Sequence, residues 1–369
     1  MRCKKGGSLY IPPCPSLGFR DLARPFQNDG RHPLTTNPAD VSWHQRGCGA
    51  IGKLLEARSV SAQDKVLLPS YLCREVVEAF KSSGAEVEYY GIDRECGFDL
   101  EELEKKIDSR TRLVCLVHYF GFPRHLDEVR SMTRKKRVWF VEDCAHALFG
   151  RTTNGWLGEF GDAAVFSLRK SLPVPDGGAL LMKDGPVKTA SVRMKSDGRA
   201  AFLGTAKLLF KRFLWSIQLP PMTWMRDRPG GVADSPETLG AAGRGHAMSG
   251  MSWRVLGNCD IKAISSARRS NFAFYIRALD AARWMEPLFM ELPDGVVPLS
   301  FPVLVRDRDG IRNALGKKGI FLNAGFPEAA SSPVPGTAYL ARHLLELPVH
   351  QDLHEHHLQK IIDRISSLT

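Results

Sequence analysis

The segment from residue 112 to residue 143, RLVCLVHYFGFPRHLDEVRSMTRKKRVWFVED, contains two apolar runs separated by an amphipathic stretch. The two runs, residues 112–118 and 138–143, are short and rich in Val and Leu, as buried strands are. Residues 126–134, between them, have the apolar spacing of an amphipathic helix. Strands of this kind that alternate with amphipathic helices are typical of βαβ units. The segment therefore predicts a mainly parallel sheet.

The same alternation continues on both sides of this segment. We predict, in chain order, a helix at 50–58, a strand at 65–70, a helix at 74–82, a strand at 85–90, a helix at 99–107 and, beyond residue 143, strands at 165–167 and 178–182. Further along we predict a helix from Ser252 to about Arg283, a strand at 297–305 and helices at 308–317 and 354–366. These elements predict a second, smaller α/β unit.

The predicted fold class is α/β, with a large three-layer αβα domain and a smaller C-terminal α/β domain. We expect an irregular N-terminal segment rich in Pro, Gly and Arg at residues 1–45, the large domain at 46–250 and the small domain at 251–369.

Composition supports a globular protein. Of 369 residues, 43% are hydrophobic and 25% are charged, which excludes a disordered or fibrous chain. No apolar run reaches the roughly 18 residues that a membrane span needs. The first residues lack the apolar core of a signal peptide, so a cytoplasmic protein is expected.

The chain is basic and has eight cysteines. Lys and Arg number 51 against 40 Asp and Glu, a formal net charge of +11 that favours anionic partners. Nucleic acid is disfavoured, because the excess is spread along the chain and no binding motif for it is present. The cysteines show neither CxxC nor Cys/His spacing. They are therefore expected to be reduced thiols, and no metal site is expected.

Residues 206–225, AKLLFKRFLWSIQLPPMTWM, interrupt the alternation with an apolar and basic stretch. We favour a helix packed on the large domain or at a dimer interface. Contact with a membrane surface is the alternative, because Lys207, Lys211 and Arg212 are interleaved with apolar side chains.

Reactive groups of open parallel sheets collect at the carboxyl ends of the strands, and several polar residues follow predicted strands here. Asp143 and His146 follow the strand that ends the opening segment, and Ser167 and Lys170 follow a later one. Taken singly, each has a commoner structural explanation, such as a helix cap, a solvated charge or a buried histidine. Only their combination indicates a functional site.

This combination resembles the DegT-type sugar aminotransferases, which are pyridoxal-phosphate (PLP) enzymes of fold type I, the aspartate aminotransferase fold. The resemblance is carried by VEDCAHA (141–147), GEFGDAAVFSLRK (158–170), PVPDGGAL (173–180), GCGAIGKLLEA (47–57), DKVLLPSYLCREVVEAFKSSGAEVEYYGID (64–93), TRLVCLVHYFG (111–121) and LPVHQDL (347–353). It covers residues 45–185 well and the last hundred residues loosely.

The resemblance implies roles for individual residues. Lys170 would form the Schiff base with the cofactor, Asp143 would pair with the pyridine nitrogen, and His146 would reach the ring hydroxyl. Asp143 would keep that nitrogen protonated, so that the ring acts as an electron sink. A lysine in this role needs a lowered pKa, which desolvation and cationic neighbours can supply.

The same resemblance implies a phosphate site. Ser167 would bind the cofactor phosphate by its hydroxyl and amide. Cys48 and Gly49 would add backbone donors at a helix N-terminus, where an anion is favoured.

The sequence also departs from the family pattern. Lys170 follows Ser167 by three positions, a shorter spacing than usual, whereas the spacing from Lys170 to the Gly-Gly turn is kept. Cys73 aligns with the position that usually holds an aromatic side chain stacked on the ring, and Tyr71 is a candidate substitute. Ser252 stands where the family has an Asn that reaches the partner subunit's phosphate, a contact that would require a dimer.

The implied function is a PLP-dependent aminotransferase. It would move an amino group to a nucleotide-linked keto-sugar, and the usual donor in the family is glutamate. The reaction would belong to the synthesis of a polysaccharide or another glycan. The enzyme would work as a homodimer with shared active sites. Two alternatives remain open. One is other PLP chemistry on this fold, such as dehydration (against which Lys170 argues) or desulfuration, and the other is a regulator or scaffold that has lost catalysis.

Overall fold

The computed structural model describes residues 9–18, 21–22, 32–36, 40–183, 196–219, 246–279 and 284–368. Its helices are α1 (Pro33–Thr36), α2 (Gly47–Ala57), α3 (Arg74–Lys81), α4 (Leu100–Lys106), α5 (Leu126–Lys136), α6 (Leu168–Ser171), α7 (Gly198–Ser216), α8 (Gly250–Asn258), α9 (Ile261–Ala278), α10 (Arg308–Lys317), α11 (Pro335–His343) and α12 (Glu355–Ser366). Short 3-10 turns occur at Tyr119–Gly121 and Pro327–Ser331.

The strands are β1 (Val41–His44), β2 (Lys65–Pro69), β3 (Glu86–Tyr90), β4 (Thr111–Val117), β5 (Trp139–Asp143), β6 (Arg151–Thr152), β7 (Gly155–Trp156), β8 (Ala163–Ser167), β9 (Gly178–Met182), β10 (Glu286–Pro287), β11 (Ser300–Leu304) and β12 (Leu344–Pro348).

The large sheet has seven strands in the order β1-β9-β8-β5-β4-β2-β3. Strands β8, β5, β4, β2 and β3 are parallel, whereas β9 is antiparallel to both of its neighbours. The prediction of an α/β fold with a mainly parallel sheet is therefore confirmed. Strands β2 and β9 are buried along their whole length, which explains why they appear in the sequence as unbroken apolar runs.

Helices cover the sheet in layers. The step from β2 to β3 runs towards one edge of the sheet, whereas the steps from β3 to β4 and from β4 to β5 run the other way. Because parallel crossovers are right-handed, α3 lies on one face and α4 and α5 lie on the opposite face. Helix α2 packs beside α3 and against β8 and β9, so it shares the face of α3.

A second sheet of three antiparallel strands, β10-β11-β12, follows the large one in sequence. Helix α9 packs against β11, and α10 packs against β12. The described residues thus include a smaller α/β unit where the sequence predicted one, although β12 and α11 were not predicted.

Two elements differ from the predictions. Residues 41–44, assigned to the irregular N-terminal segment, form the edge strand β1. The single helix predicted from Ser252 is two helices, because the Asp260 side chain accepts the Ala263 amide (2.9 Å) and starts α9 anew. The end predicted near Arg283 and residues 220–225 of the apolar, basic stretch lie outside the described residues.

None of the described helices is both long and apolar enough to cross a lipid bilayer.

Candidate active site

Lys170 lies on the short helix α6, directly after the carboxyl end of β8. The turn 176–178 fixes this helix, because the amide of Leu168 donates to the Gly177 carbonyl (3.1 Å). Gly177 has a φ of +131°, a conformation that side chains other than glycine rarely adopt. The Asp-Gly-Gly turn therefore holds the half-buried Lys170 at the edge of the sheet.

Asp143 is the last residue of β5, the strand next to β8, and its side chain is buried. One carboxylate oxygen accepts the Ala145 amide at 2.9 Å, and the other accepts no hydrogen bond from the described part of the chain. Burial raises the pKa of Asp143, and the charge of Lys170 opposes this effect. The carboxylate and the amine are thus close enough to interact.

His146 lies three residues further on and is also buried. Its Nδ1 accepts the amide of Phe120 at 3.2 Å, so the ring hydrogen is on Nε2. Burial and the nearby Lys170 charge hold the pKa of His146 well below its ordinary value of 6.5. The imidazole is therefore a neutral hydrogen-bond donor at physiological pH.

The N-terminus of α2 reaches the same edge. Gly47 lies beside the Ser167 side chain, and Gly178 lies so close to α2 that a Cβ there would overlap the carbonyl oxygen of Arg46. Cys48 and Gly49 are in the first helical turn; the Cys48 amide has no carbonyl of its own helix to donate to, whereas the Gly49 amide donates to the Arg46 carbonyl at 3.1 Å. The amide groups and the half-buried Ser167 hydroxyl form a place suited to an anion.

Cys73 is the N-cap of α3 and faces the same space. The Lys170 charge lowers the pKa of its thiol, against a larger upward effect of burial. The neighbouring Cys48 thiol donates to the Glu75 carbonyl at 3.6 Å, and its pKa is raised to about 12 by burial first and then by Cys73, Glu75 and Asp143. Because both pKa values are raised, the thiols of Cys48 and Cys73 stay protonated near neutral pH and do not act as nucleophiles.

Tyr71 is not placed to stack on a bound ring. Its side chain is fully buried, its hydroxyl accepts the Phe326 amide at 3.2 Å, and its ring packs against Tyr119 and Phe326. The aromatic ring beside the amine is instead Phe326, whose centroid lies 6.0 Å from Lys170 Nζ.

Phe326 and Glu346 are site residues that the sequence reasoning missed. Phe326 is nearly parallel to His146, with ring centroids 6.0 Å apart. Glu346, buried on β12, accepts the Ser300 hydroxyl (2.8 Å) and the Gly325 amide (3.2 Å), and its pKa is raised by burial against the opposing charge of Lys170. Both residues come from the C-terminal third of the chain, where no motif marks them.

Ser252 is not available for a phosphate on a partner subunit. Its side chain is completely buried, and its hydroxyl donates to the Asp176 carboxylate at 2.5 Å. Ser249 donates to the same oxygen at 2.9 Å. The expectation for Ser252 is therefore corrected: the residue ties the start of α8 to the Asp-Gly-Gly turn.

His118, Glu142 and Cys144 lie behind the site, close enough for one ion to touch all three. However, both oxygens of Glu142 are already used. They accept the amides of Gly158, Phe160 and Gly161 and the imidazole of His118. This cluster is a structural network that anchors the loop 158–161 to β5.

The residues at the sheet edge fit pyridoxal phosphate. The cofactor needs an amine for its aldehyde, a carboxylate for its ring nitrogen and donors for its phosphate. Lys170 offers the amine, and Asp143 has a carboxylate oxygen that accepts no hydrogen bond from the described residues. The α2 N-terminus with Ser167 supplies the donors.

The fold and this set of residues suit a protein of the class that binds pyridoxal phosphate. Residues 44–211 match the family model of the DegT/DnrJ/EryC1/StrS aminotransferase family. The resemblance seen in the sequence is thus confirmed, and the protein is a PLP-dependent aminotransferase.

Individual proteins agree with this assignment. The chain is 22% identical, over 94% of its length and 89% of the other protein, to a dTDP-4-dehydro-2,3,6-trideoxy-D-glucose 4-aminotransferase of Saccharopolyspora spinosa. It is 26% identical, over 42% of its length and 43% of the other protein, to a GDP-perosamine synthase of Escherichia coli O157:H7.

Solved structures share the fold. The aminotransferase TlmJ of Streptoalloteichus hindustanus has a TM-score of 0.69 at 20% identity, with 95% of this chain and 91% of that chain covered. The sugar aminotransferase Spr1654 of Streptococcus pneumoniae, in its PLP form, has a TM-score of 0.71 at 15% identity, with 98% of each chain covered.

Proposed function

We propose that this enzyme transfers an amino group from glutamate to the keto group of a nucleotide-linked sugar. The proposal is supported by the relatives, one acting on a dTDP-linked keto-sugar and one named for a GDP-linked amino sugar. A chain with a formal net charge of +11 suits a substrate that carries a diphosphate.

The main support for this proposal is the convergence of Lys170, Asp143 and His146 at one edge of the sheet. When bound, the cofactor supplies an electron sink for the electrons released from the substrate carbon. Lys170 would hold the cofactor's aldehyde until the substrate arrives. Its freed Nζ would then move a proton between the substrate carbon that bears the amino group and the aldehyde carbon of the cofactor. His146 and Phe326 would orient the ring, and Asp143 would hold a proton on the ring nitrogen.

The phosphate would lie against Ser167 and the amide of Cys48, with the backbone of Gly49 beside it, and Cys73 would line the same pocket. We further propose a homodimer that works in the cytoplasm, in the synthesis of a polysaccharide or a related glycan. In such a dimer, residues of the second subunit would contribute to the substrate pocket.

The test is to load the protein with pyridoxal phosphate, reduce it with borohydride and map the labelled peptide. We expect the label on Lys170. Incubation with glutamate should yield 2-oxoglutarate and shift the absorbance to that of the amine form of the cofactor. Lys170→Ala should lose both signals, whereas Lys53→Ala, on α2, should keep them. A label on another lysine contradicts the assignment.

A further inference from the structure

Helix α7 presents an apolar surface to solvent. Of the ten large hydrophobic side chains that are exposed in the described chain, six lie on α7 or its last turn: Phe202, Leu203, Leu209, Phe210, Phe213 and Ile217. We call these six side chains the α7 outer face. Phe202 is 72% exposed and Phe210 is 59% exposed. Patches of contiguous apolar surface on a folded protein mark sites of interaction.

The spacing places these side chains on one side of the helix. Phe202, Leu209 and Phe213 follow steps of seven and four, and Leu203, Phe210 and Ile217 follow steps of seven directly beside them. The opposite side of α7 is fastened to the protein. Trp215 is buried there, and its ring contacts His350 with centroids 6.0 Å apart, while Leu214 is buried at the edge of the outer face.

The charges on this helix all have one sign. Residues 198–219 contain Arg199, Lys207, Lys211 and Arg212 and no Asp or Glu. Arg199 and Lys207 are exposed, whereas Arg212 lies 3.8 Å from the Asp352 carboxylate. Both sides of α7 carry apolar residues, but the exposed Phe and Leu side chains with cations beside them are the groups that bind the interface of an anionic bilayer.

We infer that the α7 outer face binds the surface of an anionic lipid membrane. The aromatic side chains enter the boundary between headgroups and acyl chains, and Arg199 and Lys207 contact the anionic headgroups. Pairing of α7 with α7 of a second copy is disfavoured, because the residues of the helix itself carry cations and no carboxylate to compensate them. The inference does not depend on the sugar substrate.

Membrane binding would act close to the site. Gly204 of α7 lies against Pro175, where a Cβ would approach the Pro175 ring to 2.8 Å, and Pro175 directly precedes the Asp-Gly-Gly turn. A membrane on the outer face would therefore place the catalytic edge near the bilayer surface.

The experiment is flotation of the full-length, cofactor-loaded protein with vesicles of equal parts phosphatidylcholine and phosphatidylglycerol, compared with vesicles of phosphatidylcholine alone. We expect flotation with the anionic vesicles that is weaker at high salt. Phe202→Glu and Phe210→Glu should each lower the bound fraction about tenfold. Met290→Glu, at a side chain 60% exposed elsewhere, is the matched control and should bind as the wild type does.

A second pair of variants tests the charge. Lys207→Gln should weaken binding about fivefold, whereas Lys135→Gln, on the exposed side of α5, should not. The inference is overturned if the wild type does not float at low salt, or if Met290→Glu has the same effect. It is also overturned if Phe210→Glu dissociates an oligomer without vesicles, which would make a second copy the partner. A large fall in the melting temperature of Phe210→Glu would mean that the chain itself covers this face, and would overturn it too.

Discussion

His118 donates a hydrogen bond from Nε2 to Oε2 of Glu142 over 2.8 Å, and both side chains are completely buried. Glu142 also collects the amides of Gly158, Phe160 and Gly161, so one carboxylate ties β4, β5 and the loop before β8 together. The next residue is Asp143. The position of Asp143, the proposed ring-binding carboxylate, thus depends on the buried charge of Glu142, which does not contact the substrate.

Glu142→Gln should lower the free energy of unfolding by about 3 kcal/mol. The new NH₂ group would face buried N–H donors, and the carboxylate charge that His118 and the three amides now contact would be lost. Urea unfolding followed by circular dichroism measures this loss. Glu101→Gln is the control, because Glu101 is 83% exposed on α4 and should change the stability by less than about 0.5 kcal/mol. An equal loss in the two variants would contradict the role of Glu142.

The Glu142 carboxyl should also make the stability of the protein depend on pH. Burial acts to raise the pKa of Glu142, but His118 and the amides of Gly161 and Gly158 outweigh it, so the pKa lies below the ordinary 4.5. A carboxyl whose pKa is lowered on folding stabilises the protein above its unfolded pKa, and this stabilisation is lost as pH falls through the lowered value. The difference in stability between wild type and Glu142→Gln should therefore be constant near neutral pH and shrink below about pH 4.5. A difference that grows on acidification would contradict this assignment.

Gly178 fixes the approach of α2 to the sheet. Gly178→Ala should cost about 3 kcal/mol or more and weaken the binding of pyridoxal phosphate, because the new methyl group overlaps the carbonyl of Arg46 and displaces the α2 N-terminus. Cofactor titration by absorbance and thermal unfolding measure the two effects. Gly316→Ala is the matched control. Nothing lies within 4 Å of a Cβ at Gly316, inside α10, so this change should stabilise the protein by about 0.5–1 kcal/mol.

The sequence predicted the parallel sheet because strands such as β2 and β4 are buried along nearly their whole length and contain apolar runs, although the partly exposed edge strand β3 was predicted as well. Strand β9, predicted at 178–182, is observed at Gly178–Met182. Edge strand β1 was missed, because its four residues, VSWH, are few and contain no apolar run. Local patterns identify elements that are buried along their length, and pairing at an edge is a tertiary property.

The site was predicted to a similar extent. Asp143, His146 and Lys170 follow strands that the pattern identifies, so their convergence could be expected from the sheet alone. Phe326 could not be found this way. It reaches Lys170 through a turn of positive φ at Gly325, held by the Tyr71 hydroxyl, in a part of the chain far from the other site residues.

Asp143 carries a cost in stability. Because burial raises the pKa of its carboxyl, the charged form is disfavoured in the folded apoprotein, and Asp143→Asn should stabilise that form at neutral pH by on the order of 1 kcal/mol. The same variant should lose at least about a hundredfold in kcat, since an amide cannot hold the ring nitrogen protonated. Thermal unfolding without cofactor and a transamination assay separate the two effects. A variant that is both less stable and fully active would contradict this role.

Ser252 provides a test between the role that the family resemblance implies and the one that the structure shows. Ser252→Ala removes a buried hydroxyl from Asp176, and it should lower the free energy of unfolding by about 1–3 kcal/mol. Part of this loss should disappear when Asp176→Ala is already present, because the serine hydroxyl and the Asp176 carboxylate interact directly. Ser82→Ala is the control, because it removes an exposed hydroxyl that donates to the Ala79 carbonyl and should change the stability little. The affinity for pyridoxal phosphate, measured where both proteins are folded, should be nearly unchanged in Ser252→Ala. Strongly reduced affinity with unchanged stability would instead support a contact with the partner's cofactor and would require α8 to move away from Asp176.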